Sequence, residues 1–121
     1  MDHKEILDIA ESLRRQARKS INKFQTELDS EGGLIDAMKN FGEGAIYGRL
    51  MLEQLEPIFR ALEETESNGN ITKKVAQYLA ERSEFLTGMK PWVPNSTDVM
   101  NNMINAIIAD VIADLIEAFK E

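Results

Sequence analysis

The chain has 121 residues, 43% of them apolar and 29% charged, the proportions of one ordinary globular domain. It has no cysteine and one histidine, which excludes disulfides, thiolate nucleophiles, cysteine-based zinc or iron–sulfur sites and a two-histidine metal site within the chain. A formal net charge of −7 counts against nucleic acid as a partner, because that affinity rests on neutralising phosphates.

The opening Met1-Asp2-His3-Lys4-Glu5 is polar and mixed in charge, unlike a signal peptide, and no apolar run reaches membrane-spanning length. A cytoplasmic protein that makes no membrane contact is expected. The first helix is predicted from near Asp2 to about Leu28. Its apolar seam is Ile6, Ala10, Leu13, Ala17, Ile21, Phe24 and Leu28, at steps of three and four. Glu11, four before Arg15, is placed for an ion pair. The same helix carries Arg14, Arg15, Arg18 and Lys19, extended by Lys23, a ladder that could hold an anion or grip an acidic partner. Its plainer reading is a solvated face balanced by Glu11 and Glu27. Gly32 and Gly33 end the helix and let the chain reverse.

A second helix is predicted from about Leu34, apolar on most sides over Ala45–Leu52. Gly42, Gly44 and Gly48 each cost about 1 kcal/mol inside a helix. Close approach of a neighbouring backbone at Gly44 and Gly48 would account for two of them; a ligand pocket lined by a helix break is the other reading. Pro57 is expected to kink or break this helix, since it has no N–H to donate. Ser67-Asn68-Gly69-Asn70 reads as a turn, and a third helix then runs to Gly88 with Ile71, Val75, Tyr78, Leu79, Phe85 and Leu86 as its stripe. Trp92, between Pro91 and Pro94 in a stiff loop, is either a plug over the bundle end or an anchor for a partner.

The last helix, capped by Ser96 or Thr97, is apolar round almost its whole circumference. That pattern belongs to a central rod or to half of a subunit interface. Its one acidic sector holds Asp110, Asp114 and Glu117, stacked turn over turn. These carboxylates could hold Mg²⁺ or Mn²⁺; the plainer reading is a solvated strip, or pairing with Arg14, Arg15 or Arg18 of the first helix. They do not reproduce the Glu-Glu-x-x-Glu and Glu-x-x-Asp pattern of the all-α nucleotide pyrophosphohydrolases. Glu63-Glu64-Thr65-Glu66 has the wrong spacing, and Asp110 and Asp114 are four apart.

The expected fold is therefore an all-α, four-helix, up-and-down antiparallel bundle in a single domain spanning residues 1–121. Surplus apolar surface on helices two and four points to a homodimer, with Tyr47, Leu50, Met51, Trp92, Ile108, Ile112 and Ile116 as candidate interface residues. No catalytic residue and no cofactor is indicated: there is no phosphate loop, no nucleophile elbow and no histidine placed to serve a serine. The function expected is that of a non-enzymatic interaction or regulatory bundle of the adaptor, immunity or antitoxin-like kind, binding itself and in some cases another protein. The alternative is a divalent-metal-dependent all-α phosphohydrolase using Asp110, Asp114 and Glu117. A small-ligand site near Gly42–Gly48 and Trp92 is a third reading.

Overall fold

The computed structural model describes residues 2–64, 68–88 and 99–120, with the side chains of 68–70, 85–88 and 99 outside that description. All the described elements are helical: α1 (His3–Leu28), α2 (Gly33–Ala37), a π-helical turn (Met38–Gly42), α3 (Glu43–Glu64), α4 (Asn68–Gly88) and α5 (Val99–Ala118). Because α2, the π turn and α3 run on without interruption, they make up the second helix of an all-α bundle of four.

Asp2 opens α1 by accepting a hydrogen bond from the Glu5 amide at 2.8 Å, satisfying one of the donors that a helix start leaves unpaired. The seam packs as its spacing dictates, with Ile6, Ala10 and Ala17 buried. At the reversal, Gly33 has φ +58°, a left-handed conformation in which a side chain would be strained.

α3 is the centre of the molecule. It packs most extensively against α1 and also meets α4 and α5, whereas α1 and α5 have at most a marginal contact. Its buried row is Gly48, Met51, Leu55, Ile58 and Leu62, at helical steps. A Cβ added to Gly48 would lie 2.6 Å from the Ala17 carbonyl oxygen, so this glycine allows the two backbones to approach closely. Gly44, by contrast, has open space where a Cβ would stand, with nothing within 4 Å, and close packing does not explain it. The helix is not broken at Pro57, which lies inside α3. Buried Leu55 and Ile58 hold the chain on either side of it, so packing outweighs the proline's lost hydrogen bond. Earlier in the same helix, the π turn interrupts the α-helical hydrogen-bond pattern.

α4 is anchored by buried Ile71, Val75 and Leu79, and Tyr78 donates to the Gln54 carbonyl of α3 at 2.9 Å. Phe85 and Leu86, the end of its predicted stripe, lie outside the described side chains. On α5, Ile107, Val111, Ile112 and Leu115 are buried, as is Phe119 just past its end, while Ala106, Asp110, Ala113, Asp114 and Glu117 are exposed. α5 is thus a flanking helix with one inward face, and the central rod is α3. Among the described residues no helix is long and apolar enough to cross a membrane.

Candidate functional site: two grooves beside the π turn

The C-terminal half of α1 and the π turn form a seam with a groove on each side. On one side, Arg15, Arg18, Lys19 and Lys23 stand with Asn22, Thr26, Glu27 and Phe41 around an open groove of about 530 Å³. On the other, Phe24, Met38, Gly42, Ala45, Ile46, Leu50 and Ile104 line an apolar groove of about 330 Å³, with Arg49 at its edge. Met38 of its lining is 42% exposed, and among the described residues three more large apolar side chains stand in water: Ile35 is 78% exposed, Leu34 61% and Met100 55%. Leu34 and Met38 are one turn apart on one face, as are Met100 and Ile104, so the strip continues from α2 across the groove to the start of α5.

The basic ladder divides. Arg14 does not line the basic groove; its guanidinium stacks over the ring of Phe59 on α3, 4.2 Å from the centroid. The ion pairs on α3 are Arg49–Glu53 and Arg60–Glu56, both exposed and one turn apart. The expected Glu11–Arg15 pair is not formed, and Asp110, Asp114 and Glu117 do not pair with the arginines of α1.

The interface candidates divide as well. Met51 (2% exposed) and Ile112 (0%) are covered within the chain itself, leaving them nothing to offer a partner. Leu50 lines the apolar groove, Ile108 and Ile116 are half-buried, and Trp92 lies outside the described residues. Tyr47 is engaged across the bundle, its hydroxyl donating to the Asp114 carboxylate. No group of three or more His, Asp or Glu side chains is arranged to hold a metal ion among the described residues, and Asp114 is occupied by Tyr47.

Burial, the bond to Asp114 and the nearby charges of Asp114 and Asp110 together push the Tyr47 hydroxyl far above its ordinary value. Since its folded pKa is raised, the stability it contributes is fully present below the unfolded value of about 10 and is lost as pH rises beyond it. Tyr47→Phe should therefore lower the urea midpoint near neutral pH, at a cost of about 1 kcal/mol, and by less above about pH 10. Parallel curves for the two proteins across that range would remove the hydroxyl from the account. Tyr78, raised chiefly by burial, remains in both proteins and leaves part of the alkaline loss in place.

Sequence reasoning found the cations of the basic groove but missed Phe41, and it missed Leu34, Ile35 and Met38 of the apolar strip. The apolar run Leu34-Ile35 beside two glycines was a signal for the latter. Nothing local marked Phe41, which reaches the α1 cations only through the packing of the π turn on α1. Comparison of the chain with protein-family models, with curated proteins and with solved structures finds no match.

Proposed function

We propose that this chain is a non-enzymatic interaction or regulatory bundle that pairs with a second copy of itself through the start of helix two and the start of helix four. The observation that supports this reading is the apolar strip of Leu34, Ile35, Met38 and Met100 flanking the groove lined by Phe24, Leu50 and Ile104. An apolar surface of this kind, left in water and concave at its middle, is what an interface core needs. A two-fold pair would set the strip of one copy against that of the other.

The test is solution mass by light scattering at two well-separated concentrations. A dimer is expected for the parent chain and a monomer for Ile35→Lys combined with Met38→Glu. Both side chains are exposed, so these changes should move monomer stability by no more than about 0.5 kcal/mol each. A parent chain that is monomeric at both concentrations would exclude self-pairing.

A further inference from the structure

We infer that the basic groove on α1 is a docking site for an acidic helical segment of a partner protein, one that presents carboxylates on successive turns. Arg15, Lys19 and Lys23 recur every four residues, with Arg18 beside them. The lining of the groove from Arg15 to Glu27 extends about 18 Å along the helix axis. The cations are thus strung out in a line. A phosphate group is best held by donors that converge on one set of oxygens, whereas a line of cations at one-turn intervals matches carboxylates repeating at the same interval on an opposing helix. Among the described residues Arg15, Arg18, Lys19 and Lys23 have no ion-pair partner, so their charge is available.

Phe41 supplies an apolar wall on the π-turn side, and Asn22 and Thr26 supply polar contacts between the charged positions. The groove is open along its length, as it must be to take a rod. The rest of the molecule is strongly acidic, with residues 31–66 carrying eight negative and three positive charges. A long polyanion such as a duplex would run on past the groove over those surfaces and be repelled. A short segment confined to the groove is shielded from them beyond the Debye length of about 8 Å. This site does not depend on self-pairing, because its lining residues are not those of the apolar groove.

The probe is a dye-labelled synthetic helical peptide with glutamates on successive turns and leucines beside them, titrated with the full chain and followed by anisotropy. Saturable binding is expected, weakened about tenfold by Arg15→Glu combined with Lys19→Glu and lost when every glutamate of the peptide is glutamine. Arg15 and Lys19 are exposed, so circular dichroism of the variant should match the parent; Lys23→Glu, on another turn, gives a second reading in the same direction. Binding to the Ile35→Lys chain should be unchanged, which separates this groove from the apolar one. No binding, or binding indifferent to the glutamine exchange or the charge reversals, overturns the inference. Displacement of the peptide by one equivalent of inorganic triphosphate, or tighter binding of a short DNA duplex, overturns it in favour of phosphate recognition.

Discussion

Leu55→Ala should destabilise the protein by about 3–4 kcal/mol, a large part of the roughly 5–15 kcal/mol that holds a domain of this size folded. Leu55 is 1% exposed and belongs to the buried row that α3 turns toward its neighbours, with Met51 and Ile58 one turn away on either side. Truncation removes apolar surface from the interior and leaves a cavity whose walls belong to packed helices, so little relaxation can close it. Leu50 is a useful control: half-buried at the edge of the apolar groove, it borders space already open to water. Leu50→Ala should cost about 1 kcal/mol. Urea unfolding followed by circular dichroism measures both. Equal losses at the two positions would mean that the Leu55 face of α3 is no more tightly enclosed than the Leu50 face.

Adding one methyl group at Gly48 and at Gly44 should move stability in opposite directions. At Gly48 the new Cβ meets the Ala17 carbonyl oxygen at 2.6 Å and the Ala17 carbonyl carbon and Ile21 Cγ1 at 3.3 Å. The first two atoms are backbone in the middle of a 26-residue helix and cannot swing aside. α1 and α3 must separate along their seam, at an overpacking cost of about 3 kcal/mol, against about 1 kcal/mol recovered in helix propensity. A net loss of about 2 kcal/mol is expected for Gly48→Ala. Gly44→Ala meets nothing within 4 Å and should gain about 0.5–1 kcal/mol. A higher urea midpoint for both variants would contradict the close approach of the two backbones at Ala17.

The parts of the fold that were legible in the sequence are those decided within one helix. Steps of three and four from Ile6 to Leu28, with Asp2 at one end and two glycines at the other, fix α1 almost to the residue, because seam, cap and breaker agree. The all-helical class follows from the same periodicity throughout. What failed depended on neighbours. Pro57 argues locally for a kink or a break, and the break is absent because α3 runs on through it with Leu55 and Ile58 buried on either side. The apolar circumference of the last helix states how much surface it could bury, not which helix lies at the centre. Three close glycines signalled an anomaly near Gly42–Gly48. The outcome was a π turn at Met38–Gly42, a close contact at Gly48 and open space at Gly44. The site divides in the same way. The α1 cations could be aligned on a wheel, but the stacking of Arg14 on Phe59 and the presence of Phe41 in the lining of the basic groove required the second helix to be in place.

The central position of α3 bears on how the molecule comes apart. In a square bundle each helix touches two neighbours, and one corner can fray while the opposite pair stays closed. Here Met51, Leu55, Ile58 and Leu62 form one buried row on the helix that packs most extensively on its neighbours, so detaching α1 or α5 should expose part of the core that α3 carries. Sub-global openings then approach the free energy of complete unfolding, and the slowest-exchanging amides should lie together along α3 and the facing part of α1. Such a chain should have few stable halfway states and should melt as a single cooperative unit.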